Sequence, residues 1–328
     1  MTAPSPMNAS SSEHVLNLPA PAKLNLFLHV TGRRDDGLHL LETVFQFIDL
    51  QDDIRLELDE SGVISRTHDP EGVSESDDLT LRAARSLKAA TGTPLGARIS
   101  LSKRIPIGAG LGGGSSDAAT VLLGLNRLWN TGLSREQLID LARPLGADVP
   151  IFVYGQNAYA TGIGDIFQPI ELPERWFVLL MPHVHVATAG VFSAPELTRD
   201  TKPITIQSFT ALAGRNDLQP VVEARQPAVR HAVEALSTAA QRLSKTSAGA
   251  EKSGNITVRM TGSGACVFAA TGCRATATAL IEEIRRNDEK HAVIRQSDAE
   301  RITIRTASGT LYLVKGLATH PLGSRQVG

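Results

Sequence analysis

Leu24, Leu26, Leu28 and Val30 alternate with Asn25, Phe27 and His29 in "AKLNLFLHV", the two-residue period of a strand. "GLHLLETVFQFIDLQDDIRLEL" predicts more strand, closing on a second alternation through Ile54, Leu56 and Leu58. A helical pattern opens at Ser76 in "SDDLTLRAARSLKAATG" and stops at Gly92. "ARISLSKRIP" is again an alternating strand, and it feeds a run holding five glycines among residues 108–114. Beyond it, Ala118, Val121, Leu122 and Leu125 recur at helical spacing. Ser134 and Gln137 form a capping-box pattern ahead of "LIDLARPLG". "VPIFVYGQNAYATG" predicts a hairpin that closes a first domain near residue 160. The second half predicts a strand in "WFVLLM", helices in "PVVEARQPAVRHAVEALSTAAQRL" and a strand–turn–strand in "ITVRMTGSGACVFAA". A helix, "ATATALIEEIRR", and a last strand, "TLYLVKG", complete it. Strands and helices mix irregularly, which favours an α+β class. "SKTSAGAEKSGN" predicts a flexible insertion, residues 288–310 a further one, and residues 1–18 a disordered tail.

The chain has 328 residues, enough for two cores. Its formal net charge of −1 gives no basic surplus for nucleic acid or a membrane surface. No apolar run reaches the roughly 18 residues of a bilayer span. The start carries no Lys or Arg before Lys23, unlike a signal or transit peptide. Cys266 and Cys273 are too few for a disulfide scaffold or a four-ligand zinc site. They read as buried, reduced thiols of a cytoplasmic protein.

The glycine run carries the chemistry. Gly108, Gly110 and Gly113 satisfy G-x-G-x-x-G, but a dinucleotide fingerprint wants an acid about 20 positions on. Asn130, Thr131 and Gly132 stand there instead. Ser115 follows Gly114 with no lysine, so a Walker-A loop fails too. What these loops share remains: bare amides in a tight turn before a helix, converging on anionic oxygens. Ser115 and Ser116 can add hydroxyls, and Asp117 reads as a first-turn acid suited to the helix dipole. The expectation is a phosphate cradle.

"PIGAGLGGGSSDAA" resembles the phosphate-binding motif of the GHMP kinases, the superfamily of galactokinase, homoserine kinase and mevalonate kinase. "PAKLNLFLHVTGRRDDGLHLLETVFQFIDL", "LGADVPIFVYGQNAYATGIGD", "GRNDLQP", "MTGSGACVFA" and "VKGLATHPLG" are similar, in order, to one branch of that superfamily. Its members use ATP to phosphorylate a tertiary hydroxyl, the 2-hydroxyl of a cytidine-diphosphate-linked methylerythritol, on the non-mevalonate route to isoprenoids. The resemblance implies an ATP-binding domain over residues 19–160. It also implies a ferredoxin-like substrate domain over 161–328, whose last strand could return to the first.

The resemblance further implies Asp148 as the catalytic carboxylate and Lys23 as its ionic partner. It implies ATP held by Pro106, Ile107, Gly108, Ala109, Gly110, Leu111, Gly112, Gly113, Gly114, Ser115 and Ser116. Lys103 and Asp78 would sit by the nucleotide base, Asp78 at a position that is usually Asn. Asn25, Leu38, His39, Thr188 and Phe192 would hold the cytidine end, with His39 reading the base edge and Phe192 stacking on it. Leu38 stands where the branch commonly has an aromatic. Mg²⁺ is implied with ATP, Ser116 being one candidate ligand. Structural roles stay open beside these: a helix start for Asp78, a helix cap for Asn216 and Asp217, a hairpin turn for Gly262 and Gly264. His183 and His185 fall on one face of a strand and read as packing rather than a metal pair. The implied protein is a monomer or weak homodimer whose partner is a small molecule, not nucleic acid or membrane. The alternatives are another small-alcohol kinase of the superfamily, or a non-catalytic nucleotide or sugar sensor on its scaffold.

Overall fold

The computed structural model describes residues 14–67, 74–204, 213–245, 256–287, 292–294, 302–306 and 308–323. Its first sheet has six strands organised on two long ones, β1 (Val15–Arg33) and β2 (His39–Asp59). They pair antiparallel over their whole length, from Val15 opposite Glu57 to Arg33 opposite His39. The other edge of β2 is shared. β4 (Gly96–Ser102) pairs with its C-terminal half, and β5 (Ala158–Thr161) pairs with residues 43–45. β3 (Ile64–Arg66) lies parallel to β4, and β6 (Ile166–Pro169) pairs with β5. Helices α1 (Leu79–Thr91), α2 (Gly113–Leu128), α3 (Arg135–Ala142) and α4 (Val149–Tyr154) pack with this sheet around one core, centred on residues such as Leu56, Leu122 and Phe152.

The second sheet has the order β10-β11-β12-β7-β9-β8, and every neighbouring pair is antiparallel. Its strands are β7 (Trp176–Met181), β8 (Thr257–Met260), β9 (Val267–Thr271), β10 (Ala292–Ile294), β11 (Thr303–Thr306) and β12 (Gly309–Lys315). With it go α5 (Thr188–Phe192), α6 (Gln219–Arg225), α7 (Pro227–Ser244) and α8 (Arg274–Asn287), and residues of α6, α7 and α8 share a second core with β7 and β9. A third cluster, including Leu24, Phe27, Phe177 and Phe268, joins the halves.

Several elements differ from the sequence reading. "VPIFVY" is the helix α4, with Pro150 in its first turn, and only "AYAT" is strand. The expected division at residue 160 falls within β5, and the first sheet continues to Pro169. α1 starts at Leu79, capped by Asp78, rather than at Ser76. Val15–Leu18 are paired strand rather than tail, while residues 1–13 lie outside the described residues. So do 246–255 and parts of 288–310. His183 and His185 follow the end of β7 and lie on no strand. Both cysteines are thiols outside any disulfide among the described residues; Cys266 is buried and Cys273 half-buried. The Ser134–Gln137 capping box forms with both of its hydrogen bonds.

β1 is the spine of the molecule. An edge strand exposes unpaired backbone groups that must be covered, and here loops cover them one after another. The amide of Lys23 donates to Leu111 O at 3.0 Å and that of Asn25 to Thr261 Oγ1 at 2.8 Å. Leu28 N reaches Arg215 O at 2.9 Å and Val30 N reaches Asp217 Oδ2 at 2.8 Å. One strand edge therefore lines up the glycine run, a second glycine turn and the segment before α6. Below them a buried network ties the halves together. His29 Nδ1 lies 3.1 Å from Glu42 Oε2, while the Tyr159 hydroxyl donates to Glu42 Oε1 at 2.5 Å. Ile204 N also donates to Glu42, and Arg215 N donates to His29 Nε2.

Candidate active site

The glycine run is shaped for close approach. Gly108, Gly110 and Gly112 all have φ near +70°, the left-handed region where a side chain is strained. At Gly110 a Cβ would lie 2.6 Å from Thr261 O, and at Gly112 it would lie 2.9 Å from the Phe152 ring and 3.1 Å from Lys23 Cε. Neither backbone nor a buried ring can retreat, so only glycine fits. Side chains of the run divide by position: Ala109 and Leu111 are buried, whereas Ile107 is 83% exposed. α2 begins inside the run, at Gly113, with Gly112 as an N-cap that has no side chain to offer. The first amides of α2 are thus left for an external acceptor, at the positive end of a 16-residue helix.

Lys23 comes to the same place from β1. It is 2% exposed, and its Nζ donates to Asn25 Oδ1 at 2.7 Å and to Gly110 O at 3.1 Å. A carboxylate oxygen of Asp148, the residue before α4, lies 3.2 Å away. Asp148 keeps 37% of its side chain exposed, so the pair has a buried cation and an open anion. Two residues read 125 positions apart in the sequence therefore meet beside Gly110 and Gly112.

A second ion cluster anchors the entry to the run. Lys103 Nζ contacts Asp52 Oδ2 at 2.5 Å and Asp117 Oδ2 at 2.8 Å. Asp52, fully buried, also accepts from the amides of Arg104 and Ile105. Burial pushes the Asp117 carboxyl up to about 7; the Lys103 ammonium opposes that rise and the Asp52 carboxylate adds to it. Desolvation acts to lower Lys103, but the charges of Asp117 and Asp52 outweigh it and hold the ammonium above its usual value.

Some expected positions carry other duties. Asp117 is the fifth residue of α2, not a first-turn acid, because the helix starts earlier than the glycines suggest. The Ser116 hydroxyl faces inward and donates to Pro21 O at 2.7 Å. Asp78 caps α1 through Thr80 N and pairs with Arg66 at 3.0 Å. Asn25 is buried, its amide group donating to Thr43 Oγ1 while Lys23 occupies its oxygen. Asn216 is both cap and brace: Oδ1 accepts from Leu218 N, and Nδ2 donates to Met260 O and Gly262 O.

Of the cytidine-end candidates, Leu38, His39 and Phe192 gather at the start of β2, whereas Asn25 lies on β1 beside Lys23. His39 and Phe192 have ring centroids 5.2 Å apart, and Leu38 beside them is 48% exposed. Burial first, then the charges of Arg199 and Arg33, lower the pKa of His39. Thr188 contacts Ser263 of the second glycine turn at 2.7 Å. The short helix α5 thus runs from that turn, at Thr188, to the His39 ring, at Phe192. Sequence reading missed Arg199, which bonds His39, and Thr261, which holds Asn25. Arg199 lies in a polar stretch with no periodicity to mark it.

The comparisons with known proteins agree with this geometry. The GHMP kinases N terminal domain family matches residues 78–156, the stretch from the α1 cap through the glycine run to α4. Solved structures share the fold at low identity: a homoserine kinase from Cytophaga hutchinsonii covers 86% of this chain and 92% of its own, with a TM-score of 0.60 and 16% identity. The scaffold is that of a GHMP kinase.

Closer relatives narrow this. The 4-diphosphocytidyl-2-C-methyl-D-erythritol kinase of Bordetella parapertussis (strain 12822) is 50% identical over 312 residues, 93% of this chain and 97% of the relative. That of Azoarcus sp. (strain BH72) is 53% identical over 251 residues, 76% of this chain and 83% of the relative. A crystal structure of 4-(cytidine 5'-diphospho)-2C-methyl-D-erythritol kinase superposes with a TM-score of 0.70 at 32% identity, covering 92% of this chain and all of that one. The chain belongs to the 4-diphosphocytidyl-2-C-methyl-D-erythritol kinase family.

Proposed function

We propose that this kinase transfers the γ-phosphoryl group of ATP to the 2-hydroxyl of 4-diphosphocytidyl-2-C-methyl-D-erythritol, as a cytoplasmic enzyme. The observation that carries the reading is the 3.2 Å Lys23–Asp148 pair beside a glycine loop that opens a helix. Phosphoryl transfer asks for positioning and charge neutralisation more than covalent chemistry. Residues 107–115 supply the first: their amides, at the N-terminus of α2, grip the β- and γ-phosphates. Asp148 accepts the hydroxyl proton as that oxygen bonds to the γ-phosphorus. The bond to the bridging oxygen breaks, and ADP leaves with its electron pair. Lys23 holds Asp148 in place, and its buried ammonium offsets charge on the moving group.

Lys103, its ammonium 3.2 Å from where a Gly113 Cβ would stand, lies close enough to the loop to meet the nucleotide. Its two carboxylates must share it. Asp78 reaches the nucleotide only if it yields its cap and its arginine, so we assign it to α1.

Among the described residues no group of three or more His, Cys, Asp or Glu is placed to hold a metal. Mg²⁺ would therefore come in with the phosphates, and the half-exposed Asp148 carboxylate is the residue that would help hold it. Once there, the ion would neutralise phosphate charge. The Ser116 hydroxyl donates its hydrogen to Pro21 O, so only its oxygen lone pairs are left for the ion.

For the substrate, Phe192 and His39 take the cytosine, and Thr188 lies on the way to the phosphates. Incubation with ATP and the cytidylylated substrate should release ADP and give one new phosphomonoester signal by phosphorus NMR. Homoserine and mevalonate should give neither. ADP release with either of those and none with the cytidylylated alcohol would overturn the reading.

A further inference from the structure

Arg199 is spent as a hub. Its Nη2 donates to Phe192 O at 3.1 Å and to Ala194 O at 2.7 Å, and its Nη1 donates to Leu197 O at 3.0 Å. Its Nε–H points at His39 Nε2 from 3.1 Å. A guanidinium has donors only and does not give up its proton. His39 Nε2 must therefore be the accepting nitrogen, and a neutral imidazole that accepts at Nε2 carries its proton at Nδ1.

We propose that Arg199 is the positioning residue that sets base specificity, by fixing His39 as the Nδ1–H tautomer so that it presents a donor to cytosine and rejects uracil. This rests on the reading that His39 faces the substrate base. The low-pKa ring supports it, since a neutral imidazole has one donor and one acceptor while an imidazolium has no such polarity. Cytosine offers an acceptor at N3, and uracil carries a hydrogen there. Against a fixed Nδ1–H the first pairs and the second meets donor with donor. A mispaired polar group in a half-buried site is what discriminates strongly between analogues of one shape. The same guanidinium ties down the carbonyl of Phe192, so the stacking ring and the edge-reading ring are set by one residue.

Two measurements test this. In the wild-type protein, long-range proton–nitrogen NMR of the His39 ring, assigned by the signal lost in His39→Phe, should show the Nδ1–H tautomer. The Nε2–H tautomer would overturn the proposal. In Arg199→Met, the ratio of kcat/KM for the cytidine-linked over the uridine-linked substrate should fall about tenfold, the size expected for one lost polar discrimination. A ratio within threefold of the wild type would overturn it. The NMR result on the wild type stands even if that variant does not fold. His39→Phe separates the two levels: it should raise KM for the cytidine-linked substrate at least tenfold. An unchanged KM there would remove the base from His39 altogether, whereas a raised KM with an unmoved Arg199→Met ratio would sink only the tautomer argument.

Discussion

Lys23 is a charge in the middle of a buried strand, with every neighbour from Ala20 to Val30 buried. Such a charge is costly without partners, and its three oxygen partners and the Phe45 ring 5.6 Å away are what make the position tolerable. The same logic identifies what is missing at Leu38. In the proposed site, an apolar side chain 48% exposed next to His39 and Phe192 would leave the base one stacking face fewer than an aromatic would give. Base–aromatic stacking contributes about 1–3 kcal/mol per base. Leu38→Tyr should therefore lower KM for the cytidylylated substrate by about fivefold or more, read from initial rates at saturating ATP. An unchanged KM would place the base elsewhere.

At the scale of elements, the local signals decided which readings survived. The long strands were legible because Leu24 to Val30 and Ile54 to Leu58 alternate cleanly. The polar face of β1, however, points into the site and the Glu42 network rather than to water. "VPIFVY" misled because a short apolar run of β-branched residues suits strand and buried helix alike. The glycine run hid the start of α2, which displaced Asp117 by a full turn and turned Ser116 inward. Tertiary partners such as Arg66 for Asp78, or Asp52 for Lys103, leave no mark at fixed spacing. Asp78 gives a test at this scale. Burial would raise its pKa, but bonds from Thr80 and Arg66 outweigh it and hold the carboxyl below the usual range. Asp78→Ala should cost about 1 kcal/mol of stability in denaturant melts and leave turnover within a few-fold. A hundredfold rise in KM for ATP would instead return Asp78 to the nucleotide.

The whole molecule is held by traffic between its halves, and no helix among the described residues is long and apolar enough to cross a membrane. After β12 the chain returns to the first sheet: Leu317 N donates to Phe47 O, Asn157 binds Leu317 O and Ala318 O, and His320 N donates to Gly155 O. His320 closes this clasp. It is fully buried, its ring set edge-on to Phe47 and Phe152, and its Nδ1 accepts from Leu322 N. Burial, with a smaller effect from Arg135, drops its pKa to about 3. Between about pH 6.5 and 3 the unfolded chain holds a proton there that the folded one refuses. Stability thus falls with pH across that window, by roughly 3 kcal/mol at pH 4. His320→Asn keeps an acceptor for Leu322 N but cannot titrate. Its unfolding free energy should be lower at pH 7.5 and depend less on pH from 6.5 to 4, and an unaltered slope would clear His320 of the effect.

The claim on which the rest depends is that Asp148, steadied by Lys23, takes the proton as phosphate moves. It is tested most directly by the single-turnover rate of phosphoryl transfer in Asp148→Asn, with ATP and the cytidylylated alcohol both saturating. The shape is kept while the carboxylate's charge and its capacity to take the proton are lost, so the account predicts a fall of about 10²–10⁴-fold. A rate within threefold of the wild type would contradict it.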